Sequence, residues 1–339
     1  MKTIFDKTQI KNLSLKNRLF RSATWEALAD NCGHFDEEIY YIYEELAKGG
    51  IGCIISGFTS VFDDDHYFGG MARLSNDTLI AEHKRLTDTV HKYDCPIIAQ
   101  LAMGEYNHEY KRNIAIDELT TADIDTIREM FIKSADRAVK AGYDGVQIHV
   151  AHGFFLSRFI SPAYNHRNDR YGMNPEFLII EMIEEIRKKH PDLHITMKIN
   201  SSDFSSSGLH ETESLRICLE CAKHGLDSIE VSGNGTSVSS IKAGVNEAYF
   251  EKFALALAEK VNIPVILVGG HRSIENMNKV LNDGNIKYLS LSRPLIREPD
   301  LINRWQNGEC SPAKCVSCNM CYRTPAHKCI FRLRGKANG

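Results

Sequence analysis

Short apolar runs alternate with amphipathic segments along almost the whole chain. Eight of these runs read as strands, over residues 18–21, 53–56, 97–101, 145–149, 195–199, 228–231, 264–268 and 288–291. Several are apolar without interruption, as strands buried on both faces should be. Between them apolar positions recur about every 3.6 residues, which predicts helices over 37–48, 77–93, 123–141, 175–189, 212–224, 248–261, 274–283 and 300–306. Thr121 and Ser273 read as N-caps, and Gly142 and Gly225 follow helix ends. Eight strand–helix repeats predict an α/β fold, a (β/α)8 TIM barrel. No linker-like stretch splits it, so residues 1–309 read as one barrel and 310–339 as a short cysteine-rich C-terminal extension. A doubly wound sheet would need two domains and a boundary. The stretches 101–120 and 153–175 are long and polar-aromatic, and on the catalytic face of a barrel they would form a lid.

Composition narrows the class. The chain has 339 residues, 43% hydrophobic and 25% charged, an ordinary globular composition. Its net charge of −3 offers no basic field for nucleic acid or an anionic membrane. No apolar run approaches the roughly 20 residues that span a bilayer. The first residues show no signal-peptide pattern, so the expectation is a cytoplasmic protein whose ten cysteines are thiols rather than a disulfide framework.

The candidate chemistry sits where the strands end. After strand four come His149 and His152, three residues apart on a turn entering a helix. Such a pair can donate to a carbonyl oxygen and stabilise negative charge growing on it. Strand seven ends in Gly269-Gly270 before a helix, and strand eight ends in Ser292-Arg293. Backbone N–H groups at the glycines and the guanidinium suit a phosphate, at the place where barrels often bind one. Ser22, Ala23 and Thr24 at the end of strand one leave room for a flat ring. Gly57 and Phe58 follow strand two. Gln100 on strand three can both donate to and accept from a pyrimidine-like edge. Lys198 lies inside an apolar strand, so it needs either a core carboxylate or a cofactor that gains negative charge.

In this order the pieces resemble the Old Yellow Enzyme family of FMN-dependent NADH:flavin oxidoreductases. The matching motifs are Leu15-Lys16-Asn17-Arg18, Gln100, His149-x-x-His152-Gly153, the run from Phe159 to Gly172, Gly269-Gly270 and Arg293. The resemblance covers about residues 3 to 306 and implies a barrel that holds FMN non-covalently and is reloaded by NADH or NADPH. It implies that Ser22, Ala23 and Thr24 line the flavin ring, that Gly57 and Phe58 lie near its edge and that Gln100 binds its pyrimidine portion. Lys198 would stabilise the anionic reduced flavin, while Gly269, Gly270, Ser292 and Arg293 would hold the phosphate. His149 and His152 would hydrogen-bond the carbonyl or phenol-like oxygen of a small-molecule substrate, an activated alkene such as an α,β-unsaturated carbonyl. Relatives commonly form dimers or tetramers, so a homo-oligomer is compatible with the chain.

Two positions depart from the family pattern. Enone-reducing members usually carry a tyrosine proton donor two residues after the second histidine, and here that residue is Phe154. Tyr106, Tyr110, Tyr164 or a water would have to substitute; otherwise the protein is a flavin reductase or electron carrier with little ene-reductase activity. Trp25 stands where relatives often place Thr or Cys, which predicts an altered flavin potential.

The extension carries Cys315, Cys318, Cys321 and Cys329, with Cys310 upstream. This spacing resembles the [4Fe–4S] ligation of the dienoyl-CoA reductase group. The second gap is one residue shorter here, and ten residues follow Cys329. The expectation is therefore a thiol-rich tail without metal, with a [4Fe–4S] cluster or a zinc site using His327 as alternatives. Two other enzyme classes compete. A metal-dependent hydrolase using His149 and His152 lacks an evident acidic third ligand, and dihydrouridine synthase chemistry would demand a basic RNA-binding surface.

Overall fold

A computed structural model describes residues 1–106, 114–234 and 241–337. Eight parallel strands close on themselves: β1 Leu19–Arg21, β2 Cys53–Ile55, β3 Ile97–Ala102, β4 Gly145–Val150, β5 His194–Asn200, β6 Ser228–Ser232, β7 Val265–Val268 and β8 Tyr288–Leu291. Each pairs with its sequence neighbour, and β8 pairs with β1, so the sheet has no free edge in the barrel. All eight predicted strands are present, shifted by at most one residue at either end. The strands are buried along nearly their whole length, as continuous apolar runs require.

Eight helices pack outside: α1 Glu38–Lys48, α2 Ile80–His91, α3 Thr121–Lys140, α4 Phe177–Lys189, α5 Glu211–Lys223, α6 Glu251–Ala258, α7 Ile274–Asn282 and α8 Leu301–Gln306. Helix α3 begins at Thr121, the expected cap, so its N-cap lies one residue earlier. Thr120 is the N-cap, and with Asp123 it forms a reciprocal capping box, each side chain satisfying a backbone N–H that the helix leaves open. Ser273 caps α7 as its sequence predicts, and Gly142 and Gly225 take positive φ just after α3 and α5.

Three features escape the periodic pattern because each is too short to show one. An antiparallel hairpin of Thr8–Ile10 and Leu13–Leu15 precedes the barrel. Two-residue strands at Thr59–Ser60 and Ala72–Arg73 extend the sheet beside β3. Short helices at Phe155–Phe159 and Arg170–Met173 give structure to the stretch read as a lid.

Candidate active site

The carboxyl ends of the strands carry a belt of polar side chains. Glu230 on β6 is fully buried and lies at its centre. Register pairs Glu230 with Lys198 on β5, and Lys198 with His149 on β4. Lys198 Nζ lies 3.2 Å from the Glu230 carboxylate and donates to Ser22 Oγ at 2.7 Å. Ser22 and Ser290 donate to Glu230 Oε1 at 2.7 and 2.6 Å, and Gln147 donates to Oε2 at 3.0 Å. Gln100 in turn donates to Gln147 at 2.8 Å. Burial alone would raise the Glu230 pKa. Lys198 and the three hydrogen bonds outweigh it and hold the carboxyl below its ordinary value. The belt therefore carries a buried ammonium–carboxylate pair whose every partner comes from a strand or a strand end.

Above the belt lie the two histidines, with ring centroids 5.2 Å apart. His149 is buried, and its Nδ1 has no hydrogen-bond partner among the described residues. His152 has positive φ, 64°; it opens to the cleft, and its Nε2 lies 2.8 Å from Ser232 Oγ. Burial, then His152 and Lys198, pull the His149 pKa well below the ordinary value. Burial, then Lys198, pull His152 down to about 3. Both rings are thus neutral near pH 7, each with one N–H to donate.

One wall of the cleft is aromatic. Phe68 lies 4.3 Å from Trp25, 4.9 Å from Phe58 and 5.9 Å from Phe154, measured between ring centroids. Phe154 also packs 5.2 Å from the His149 ring. The cleft these residues line with Gln100 encloses about 540 Å³. Among the described residues, no Asp or Glu lines it.

The opposite end is cationic. A pocket of about 110 Å³ is lined by Lys198, Arg272, Arg293, Gly269 and Gly270, and it shares Ala23, His152, Ser292 and Arg293 with the aromatic cleft. Gly270 has φ 74°, and a Cβ there would stand 2.3 Å from the Asn246 carbonyl oxygen, so only glycine fits. The two spaces together offer one anion-binding end, a polar floor and an apolar far wall.

Most of the sequence-derived residues meet here. Ser22, Lys198, Gly269 and Gly270 line the cationic pocket, Thr24, Phe58, Gln100 and His149 line the aromatic cleft, and Ala23, His152, Ser292 and Arg293 line both. Gly57 does not line either space. A side chain there would collide with the Glu26 carboxylate and the Thr24 carbonyl, and its N–H takes the Tyr43 hydroxyl as acceptor. Its small size serves packing behind the cleft. Of the tyrosines considered as proton donors, Tyr106 is buried against Asp123 and Tyr164 is solvent-exposed. Neither lines the cleft. Tyr110 lies outside the described residues.

Sequence reasoning missed Glu230, Arg272 and the tail. Glu230 had the same signal as Lys198, a charge inside an apolar strand. Arg272 is buried at the anion end and donates to the Cys315 carbonyl at 3.0 Å and to Ser317 Oγ at 2.9 Å. The extension is thus docked on the barrel mouth, and Cys321, Tyr322 and His327 line the cleft. Cys315 and Cys329 accept from Arg272 and Arg297, each at 3.7 Å. Among the described residues no three His, Cys, Asp or Glu side chains converge to hold a metal ion.

Comparison with known proteins agrees with this geometry. The chain is 28% identical over 342 residues to a metal reductase of Desulforamulus reducens, covering 94% of this chain and 51% of that protein. It is 27% identical over 315 residues to an NADPH dehydrogenase of Clostridium acetobutylicum, covering 87% and 92%. The chain therefore spans about half the length of one relative and nearly all of the other. An Old Yellow Enzyme homologue from Zymomonas mobilis shares the fold, with a TM-score of 0.75 at 20% identity over 90% of this chain and 92% of that one. Residues 3–310 match the sequence profile of the NADH:flavin oxidoreductase / NADH oxidase family, and the chain belongs to that family.

Proposed function

We propose that the protein is an FMN-dependent oxidoreductase that takes a hydride from NADH or NADPH and delivers it to an activated alkene or another small acceptor. The observation that carries this reading is the neutral histidine pair, with a buried unpartnered Nδ1 on His149, in a cleft continuous with a cationic pocket. The donor set suits FMN. Arg293, Ser292 and the backbone of Gly269 and Gly270 would hold its phosphate, with Arg272 beside them. Ser22, Ala23 and Thr24 would flank the ring and Gln100 its pyrimidine edge. Bound FMN supplies the two-electron carrier that no side chain provides.

The remaining work falls to the chain. Lys198, held by Glu230, sets positive charge beneath the ring site. His149 and His152 orient an acceptor through its carbonyl oxygen and stabilise charge that develops there. The Trp25, Phe58, Phe68 and Phe154 rings keep water from the reacting carbon. Phe154 has no proton to give, and this supports a second reading, a flavin reductase or electron carrier with weak ene-reductase activity.

Phe154→Tyr separates the two. A well-placed acid contributes about 100- to 10,000-fold. If protonation limits alkene reduction, this variant should reduce 2-cyclohexenone at least tenfold faster, relative to its own rate of flavin reduction by NAD(P)H. No gain, together with no enone turnover by the unaltered protein, would favour the electron-transfer reading.

A further inference from the structure

The extension brings a third histidine to the cleft. Ala326 and His327 are consecutive non-glycine residues with positive φ, 53° and 47°. Side-chain-bearing residues occupy that region rarely and at a cost, and such strain concentrates where a side chain is held for use. His152, which lines the same cleft, also has positive φ.

The His327 ring is fixed in orientation. It stands edge-on to Trp25 with centroids 4.4 Å apart, and its Nδ1 lies 2.7 Å from the Trp25 carbonyl oxygen. A carbonyl oxygen can only accept, so Nδ1 carries the hydrogen. In the neutral ring, Nε2 is then a bare acceptor, and it has no protein partner among the described residues. Arg293 can only donate, and the neutral His149 and His152 rings carry one N–H each. Among the described residues no Asp or Glu lines the cleft, and His327 Nε2 is a lining ring nitrogen that a carbonyl contact at Nδ1 fixes as an acceptor.

Resting on the functional reading above, we propose that His327 determines acceptor specificity: the substrate is a conjugated carbonyl compound that also carries a neutral hydrogen-bond donor, an alcohol or amide N–H, away from the carbonyl. The carbonyl oxygen takes the donors of His149 and His152, and the alcohol or amide donates to His327 Nε2. The two ends of the molecule are told apart because its carbonyl oxygen can only accept, whereas His327 Nε2, fixed as an acceptor, takes only a donor. A site built to satisfy a substrate hydroxyl discriminates against the analogue that lacks it, since its own polar atom is otherwise left unpaired.

The test compares 4-(hydroxymethyl)cyclohex-2-enone with 4-methylcyclohex-2-enone in the FMN-loaded protein. The expected kcat/KM ratio is about tenfold in favour of the alcohol, from one hydrogen bond in a half-open site. His327→Phe should bring that ratio to about one, and His327→Gln, which keeps an acceptor oxygen, should retain most of it. The same preference should appear without turnover, in the dissociation constants of the two saturated ketones read from the flavin absorption. A ratio near one in the unaltered protein, or a preference that survives His327→Phe, overturns the assignment and leaves the oxidoreductase reading intact. Flavin reduced by NAD(P)H with no turnover of either enone would sink the ene-reductase reading and this inference together.

Discussion

The two ends of the cleft are built differently. The cationic end and the floor beneath it come from strand ends: Ser22, Gln100, Lys198, Glu230 and Ser290 are joined by hydrogen bonds that cross the barrel. The aromatic end comes from connecting segments, with Trp25, Phe58, Phe68 and Phe154 standing on loops and Tyr322 and His327 on the tail. Strand register allows few alternatives, so the first end is rigid and suited to a cofactor common to a whole family. Loops tolerate change, so the second end is where this chain can depart from its relatives. The resemblance marks Trp25 and Phe154, both at this end, as such departures.

That contrast can be broken most forcefully at its rigid end. Glu230→Ala removes the carboxylate that Lys198 faces and three other side chains donate to. Breaking a buried pair from one side costs about 3–5 kcal/mol, and denaturant unfolding at pH 7 should show a loss of that size. A change below about 1 kcal/mol would mean that the belt is not held by the ion pair.

Acid should separate the ion-pair belt from the buried histidines elsewhere in the barrel, because the two respond in different pH windows. Histidines buried in neutral form have depressed pKa values, so unfolding takes up protons as pH falls below about 6.5. The stability they contribute is present above that pH and is lost progressively toward their folded values. Burial holds His83, His194 and His271 at about 4. His83 alone should account for roughly 2 kcal/mol between pH 7 and 5. Glu26, raised to about 7 by burial against the pull of Arg21, acts in the opposite direction and offsets part of this. Glu230 has a lowered pKa, so its contribution begins to fall only below the ordinary carboxylate range, near 4.5. Thermal unfolding followed from pH 7.5 to 4 should decline first through the histidine window. A flat profile down to pH 5 would contradict the neutral, buried state of these rings.

The rigid end was also the legible one. Continuous apolar runs placed all eight strands, and the residues at their ends follow from counting. Lys198 was conspicuous as a charge in such a run, and Glu230, its register partner in Ser228–Ser232, carried the same mark unread. Gly57 lies outside both spaces, and a small residue after a strand looks the same in sequence whether a ligand or a buried glutamate needs the room. The tail was opaque for a different reason. It has no period, its docking depends on Arg272 and Arg293 far away in sequence, and its cysteines drew attention from Tyr322 and His327. Irregular segments are placed by tertiary contacts alone, and a single sequence does not display those.

The visible absorption spectrum of the purified protein, recorded anaerobically before and after addition of NADH and then NADPH, tests the central claim most directly. The account predicts a flavin spectrum, native or restored by added FMN, that bleaches with at least one nicotinamide donor. A colourless protein that takes up no FMN would contradict it, and would leave the cleft between the histidines and the arginines with a different occupant.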